Sequence, residues 1–342
     1  MYIHGTRPSP LNPKPAPHHS PPEPTGEVGY PYSPMTRPSV ITIGNFDGVH
    51  LGHRAILANA RDLADAKDAR VVAMSFDPHP SATLDPANQP PRLCPPDQKI
   101  ARMKQAGADD VLILEPTPEL LGQSPDDFIQ QAVSEYSPVA FVEGADFRFG
   151  KGRAGNITKL TALGQQHGFE VVTQPSHDVT LCDLSVITVR SSVIRWLISH
   201  GRVHDAQRCL GQPFSLTSQI VKGEQRGRTI GIPTINLDLD TLDDHTLPAD
   251  GVYAGLAHLP GHDEPLTAAI SVGNKPSFGQ TQLVIEAHLL DFDQDVYGQT
   301  VTLEFHHWLR DQARFPTPDA LRDQLTRDIQ KTRSLEPLAI SH

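Results

Sequence analysis

The sequence predicts an α/β chain in two parts: a doubly wound parallel sheet, followed by a small antiparallel β-barrel. Three observations carry that expectation. Short β-branched runs alternate with helical stretches from Val40 to about Gly211, the pattern of a parallel sheet with helices on both faces. After Gly211 the apolar runs follow one another across turns, without helices between them, as in a closed antiparallel barrel. A length of 342 residues suits two domains.

Residues 1–38 precede the sheet. They hold eleven of the 32 prolines, with Pro8, Pro10, Pro13, Pro15 and Pro17 in quick succession. Proline has no backbone N–H, and a stretch with so little to bury reads as a disordered or polyproline-like tail. A docking ligand for a proline-binding module, and a true start at Met35, stay open beside that reading. The strands of the sheet are read at residues 40–43, 71–74, 111–114, 139–142 and 171–172. The first helix starts near Arg54, because Ile56, Leu57, Ala60, Leu63 and Ala64 share one face at the helical period. Further helices open around Asp126 and Lys159. In the barrel, residues 216–221, 251–257, 268–272, 283–290 and 300–305 read as strands, with Asp250-Gly251 and Tyr297-Gly298 as turn signals. One helix opens at Pro318 and closes the barrel. The expected division is 39–212 and 213–338.

Composition narrows the function classes. With 38% hydrophobic and 20% charged residues, the chain is that of a soluble globular protein. A formal charge of −11 disfavours sequence-independent nucleic-acid binding, which needs cationic surface. No apolar run reaches the roughly 20 residues of a membrane span, and the N-terminus lacks the apolar segment of a secretory signal. Cys94, Cys182 and Cys209 form no CxxC pair, so neither a disulfide framework nor a zinc site is indicated and cytoplasm is the expected location. A weak homo-oligomer stays open.

The most informative stretch is Gly44-Asn45-Phe46-Asp47-Gly48-Val49-His50-Leu51-Gly52-His53. A strand enters a glycine-rich turn, and the turn feeds a helix that starts with two imidazoles. The first amides of a helix are unpaired and its dipole is positive at that end, so phosphate is favoured there. Glycine lets the backbone approach the phosphate closely, and histidine adds donors that can follow developing negative charge. The stretch is fitted to a nucleoside triphosphate, at the carboxyl end of a strand where ligands of such sheets sit.

His50-Leu51-Gly52-His53 resembles the HxGH signature of the adenylyl- and cytidylyltransferases. Ser191-Ser192-Val193-Ile194-Arg195 resembles their second signature, with Arg190 where a further serine is usual. The resemblance implies that His50, His53 and Arg195 act in catalysis, and that Gly44, Asn45, Phe46, Asp47, Gly48, Gly52, Ser191 and Ser192 bind ATP. Arg195 would reach the triphosphate, and the serines would cap their helix and face phosphate. Ser75-Phe76-Asp77-Pro78-His79-Pro80 and Gly144-Ala145-Asp146-Phe147-Arg148-Phe149-Gly150-Lys151 resemble the flavin-side segments of bacterial FMN adenylyltransferases. Phe76, Pro78, His79, Asp146, Phe147 and Phe149 are then flavin-binding, the aromatic rings suiting a flat, largely apolar isoalloxazine.

The second half resembles the riboflavin kinases. Gly223-Glu224-Gln225-Arg226-Gly227-Arg228-Thr229-Ile230-Gly231 is similar to their nucleotide loop, and Pro233-Thr234-Ile235-Asn236 to their Pro-Thr-Ala-Asn segment with isoleucine in place of alanine. The resemblance implies ATP binding by Gly223, Gly227, Arg228 and Gly231, and Mg²⁺ coordination by Thr234 and Asn236, neutral oxygen ligands that suit a hard ion completed by phosphate and water. Glu286, within residues 284–292, matches the general base that takes the ribityl hydroxyl proton. Asn274-Lys275 stands where Thr-Arg is more usual, and Arg310, with Phe315, is placed on the flavin side. The resemblance as a whole, over roughly residues 39 to 335, is to the bacterial bifunctional FAD synthetases. It implies riboflavin, FMN and ATP as small-molecule substrates, Mg²⁺ with ATP, and flavin as substrate and product. A single-activity FMN adenylyltransferase with a degenerate kinase part, and a non-catalytic flavin sensor, are the alternatives.

Overall fold

The computed structural model describes residues 37–223, 231–277 and 280–335, without the side chains of 275–277, 280–282 and 318. The proline-rich segment up to residue 36, the loop positions Gly227 and Arg228 and the side chain of Lys275 lie outside the described residues. From Arg37 onward the chain forms one compact unit.

The five expected strands of the sheet are β1 (Ser39–Gly44), β2 (Arg70–Phe76), β3 (Asp110–Leu114), β4 (Pro138–Gly144) and β5 (Glu170–Gln174). They are parallel, in the order β3-β2-β1-β4-β5. Both faces are buried because alternate residues along one strand serve opposite cores. Val40, Val71, Ala73, Ala140 and Val142 meet Leu57, Ala60 and Ala64 of α1 (Leu51–Ala66). Ile41, Val72, Met74 and Phe141 meet Ile129 and Ala132 of α5 (Pro125–Tyr136) and Leu160 and Leu163 of α6 (Ile157–His167). Caps set the starts of these helices: Ser124 Oγ accepts from Asp127 N–H, and Asn156 Oδ1 from Lys159 N–H. The first helix begins at Leu51, three residues before the expected Arg54, because His50 serves as its N-cap. Short helices α2 (Ser81–Leu84) and α4 (Pro118–Leu121) and the longer α3 (Pro96–Gln105) complete the connections.

The hairpin of β6 (Asp178–Thr180) and β7 (Val186–Thr188) escapes the sequence reading, since three-residue strands carry no period. It precedes α7 (Ser191–Ser199) and α8 (Val203–Leu210). The barrel then closes in the order β10-β11-β12-β9-β8-β13, from β8 (Phe214–Val221), β9 (Ile235–Leu237), β10 (Gly251–His258), β11 (Leu266–Ser277), β12 (Gln280–Leu289) and β13 (Thr300–Arg310). Strand β9 is also a three-residue element, and the sequence reading leaves it in a loop. The C-terminal helix, α9, spans Pro318–Ser334 with Thr317 as its cap. Ile194, Leu197 and Ile198 of α7 and Val203, Ala206 and Leu210 of α8 belong to the same buried core as Leu216, Ile270, Ile285 and Phe305 of the barrel. The helix that carries Arg195 is therefore packed on the barrel.

Candidate active sites

The turn after β1 bends through left-handed backbone at Phe46, Gly48 and Val49. At Gly48 a Cβ would lie 3.1 Å from both Leu93 and Leu210, so the tight turn and the packing below it both need glycine. The turn delivers His50 to the N-cap of α1, where its Nδ1 accepts from His53 N–H at 3.4 Å. The proton of a neutral His50 then sits on Nε2. The two rings are stacked, with centroids 3.6 Å apart, and Phe46 packs against His53 at 5.1 Å. A Cβ on Gly52 would sit 3.3 Å from the His50 ring. Burial lowers the His50 pKa to about 4, helped by His177 and Arg195. Burial, then His50 and Lys99, push His53 well below its ordinary value. Both rings are neutral at pH 7, each with one N–H to donate.

A small cavity of about 30 Å³ opens beside this turn, lined by Asn45, Asp47, Phe76, Asp77, His79, Arg92, Lys99 and Arg195 among others. It brings together five predicted site residues from three separate stretches of sequence. Asn45 Nδ2 lies 2.9 Å from His79 Nε2, and His79 Nδ1 lies 2.7 Å from Ser81 Oγ. Arg195 donates Nη2 to the Asp47 carboxylate and Nε to the Pro91 carbonyl, so its planar fork is oriented by Asp47. Ser191 Oγ donates to the Asp47 carbonyl at 3.1 Å. The expectation that the serines cap their helix is corrected: Arg190 occupies the N-cap without a side-chain hydrogen bond, and Ser192 is exposed.

Asp146 and Phe147 stand at the end of β4 and do not line that cavity. Phe149 is buried in the sheet core that holds Ile41, Ile129 and Leu160, and its ring stacks on Phe147 at 5.3 Å; a Cβ on Gly155 would strike it. Phe149 thus supports Phe147 from behind. Between β1 and β4, where the strand order reverses, the backbone ladder runs to Ile41–Phe141, and beyond it Ile43 N–H donates to the Glu143 side chain at 2.8 Å. Burial raises the Glu143 pKa well above its ordinary value. Ligands of such sheets bind at this reversal.

The sequence reading misses Lys99 and Arg92. Lys99 is buried on α3, with Nζ donating to the Phe76 carbonyl at 2.7 Å and lying 4.0 Å from Asp77. Burial lowers its pKa, while Asp77 and Asp47 hold it up. A signal was present: Lys99 and Met103, four apart, share the buried face of α3, where a lysine is out of place unless it has a task.

In the barrel, Asn236 on β9 is directly opposite Glu286 on β12. Asn236 is buried and Glu286 half-buried. A Cβ on Gly223 would fall 2.4 Å from the Asn236 amide, so a larger residue at position 223 would push that side chain aside. Thr234 lines an adjacent cleft of about 250 Å³ with Ala287, Leu289, Phe292, Asp295 and Tyr297, and Gly231, three residues before it, is in left-handed backbone. His288, unremarked in the sequence, places Nδ1 2.7 Å from the Pro233 carbonyl and so fixes the start of this segment. Arg310 pairs with the buried Asp328 of α9 and lies 5.7 Å from the Phe315 ring. Asn274 donates to Asp250 at 2.8 Å. Among the described residues no group of three or more His, Cys, Asp or Glu is placed to hold a metal ion.

Comparison with known proteins agrees with both halves. The FAD synthetase family model matches residues 33–185, and the Riboflavin kinase family model matches residues 210–336. The Haemophilus influenzae protein named bifunctional riboflavin kinase/FMN adenylyltransferase is 32% identical over 86% of this chain and 93% of its own. The Bacillus subtilis protein of the same name is 33% identical over 86% and 91%. A crystal structure from Streptococcus pneumoniae, described as a macrolide-efflux protein, superposes with a TM-score of 0.79 at 29% identity, over 88% of this chain and 96% of that one. Among the described residues no helix is long and apolar enough to cross a membrane. The chain belongs to the bifunctional riboflavin kinase/FMN adenylyltransferase family.

Proposed function

We propose that the barrel phosphorylates riboflavin with ATP to give FMN, and that the sheet joins FMN to the adenylyl group of a second ATP, giving FAD and pyrophosphate. The observation that carries this reading is the occurrence of both family matches in one chain, each falling on a set of polar groups of the right chemistry. We assign adenylyl transfer to residues 39–212 and the kinase to 213–338, in the cytoplasm.

In the first step Glu286 takes the proton of the ribityl hydroxyl as that oxygen attacks the γ-phosphorus of ATP, the bond to the β–γ bridging oxygen breaks, and ADP leaves. The strand register supports the role, because it sets Glu286 beside Asn236. Thr234 and Asn236 offer neutral oxygens that fit Mg²⁺ carried by the nucleotide. When bound, that ion neutralises charge on the transferred phosphoryl group.

In the second step a phosphate oxygen of FMN attacks the α-phosphorus of ATP, the bond to the bridging oxygen breaks, and pyrophosphate leaves. Positioning and charge neutralisation suffice, with no protein nucleophile. The first amides of α1 and the N–H groups of neutral His50 and His53 meet the polyphosphate. Lys99 and Arg195 supply positive charge to the neighbouring cavity, which Phe76 and His79 also line; these two rings wall the flavin there, and Phe147 meets it from outside that cavity, past the end of β4. Incubation of the purified protein with riboflavin, ATP and Mg²⁺, followed by chromatography of the flavins, tests the reading: FMN is expected first and FAD after it. Unchanged riboflavin, together with unchanged FMN when FMN is supplied, contradicts it.

A further inference from the structure

Residues 91–93 are gripped from two sides. Toward the sheet, the Pro91 carbonyl accepts from Arg195 Nε at 2.6 Å, and Leu93 N–H donates to the Asp47 carboxylate at 2.9 Å. Toward the barrel, Arg92 N–H donates to the Asp244 carbonyl at 2.6 Å and Thr246 N–H to the Arg92 carbonyl at 2.8 Å, which makes a parallel bridge between Arg92 and His245. The Arg92 side chain spans the same two sides. Its Nε and Nη2 both lie 2.6 Å from Asp244 Oδ2, and its Nη1 donates to Asp77 Oδ1 at 3.2 Å. Asp77 belongs to the cavity of the sheet, between Phe76 and His79. Asp244 belongs to the connection between β9, which carries Asn236, and β10.

We propose that Asp244, in the kinase part of the chain, is a positioning residue for adenylyl transfer: by fixing the Arg92 guanidinium it fixes Asp77, and with it the flavin wall of the transferase pocket. The inference rests on the two-activity reading above. The geometry gives the reason. A single, partly exposed contact between an arginine and Asp77 is weak, because the long side chain must be immobilised to make it. Here the Nε edge of the planar fork is already held by Asp244, so the remaining Nη1 can point only where Asp77 stands. The contact is therefore pre-arranged by a residue more than 150 positions away in sequence. The transferase pocket is complete only when the barrel is attached. A simple staple between the two parts would lower stability and disturb both activities alike. A positioning role instead acts on one substrate of one activity.

The test is Asp244→Asn in the full-length chain, with both activities measured on one preparation. The KM for FMN in adenylylation is expected to rise roughly tenfold, the size of a hydrogen bond lost from a charged pair. The KM for ATP in the same reaction and the rate of riboflavin phosphorylation should stay within about twofold of the parent. Asp244→Glu, which keeps the charge, should restore most of the FMN affinity. Arg92→Lys, a point charge without a fork, should reproduce the defect and carries the test if Asp244→Asn does not fold. An unchanged KM for FMN, an equal rise for ATP, or an equal loss of kinase activity overturns the inference. A parent protein that makes no FAD contradicts the functional reading; an active parent with an unaltered Asp244→Asn variant contradicts only the positioning role.

Discussion

The imidazole of His50 lies flat on that of His53, with 17° between the planes and 3.6 Å between the centroids. Two charged rings at that spacing would repel strongly in a site with little water. Burial is the main reason both pKa values are lowered, joined at His53 by the neighbouring His50 ring, so the stacked pair is held neutral.

A pH dependence of stability follows. His50 binds its proton near 6.5 in the unfolded chain and near pH 4 in the folded one. Between those values the unfolded state holds more protons, so the contribution of His50 is present above pH 6.5 and is lost as pH falls toward about 4. The whole loss is on the order of 3 kcal/mol. Urea unfolding at pH 7 and pH 5 should show a drop in the parent that is smaller in His50→Gln. An equal drop in both would contradict the assignment.

Lys99 is expected to matter to one activity alone. Its ammonium is the buried positive charge of the transferase cavity, held by the Phe76 carbonyl. Lys99→Met should lower FMN adenylylation by roughly 100-fold, as for loss of a preorganised charge, and leave riboflavin phosphorylation near the parent rate. Separate assays of the two reactions check this.

Gly223 should be intolerant of a single methyl group. A Cβ there would meet the Asn236 amide at 2.4 Å, and Asn236 is buried with little room to yield. Gly223→Ala should reduce riboflavin phosphorylation at least about tenfold through misplacement of Asn236, with adenylylation of supplied FMN retained.

Arg310 is expected to contribute to stability through α9. It meets the buried Asp328 with two nitrogens, and removing one partner leaves an uncompensated carboxylate. Arg310→Met should destabilise the protein by about 2–4 kcal/mol, read as a shift of the denaturation midpoint. A change within about 0.5 kcal/mol would mean that the pair is no stronger than an exposed one.

The long elements were legible because their patterns repeat. Val40 faces one core while Ile41 and Ile43 face the other, and Leu57, Ala60 and Ala64 recur at the helical period. Strand β9 was hidden because Ile235–Leu237 spans one and a half repeats, yet it carries Asn236. The turn from Gly44 to His53 was legible because glycine spacing and paired imidazoles are local signals. Arg92 and Asp244 were not, because their meaning lies in partners distant in sequence, Asp77 and each other; Lys99 left only its spacing to Met103 as a signal, and its partner Phe76 is shown by the fold. Phe149 was legible as an aromatic, but only the fold shows that it stands behind Phe147.

The most direct measurement is a crossed pair of variants in the full-length protein, each assayed with riboflavin and with FMN. Glu286→Ala should abolish FMN formation and leave adenylylation of supplied FMN largely intact. His53→Ala should lower FAD formation by roughly 100- to 1,000-fold while FMN still accumulates from riboflavin. Loss of both activities in either folded variant would contradict two separate ATP-using sites.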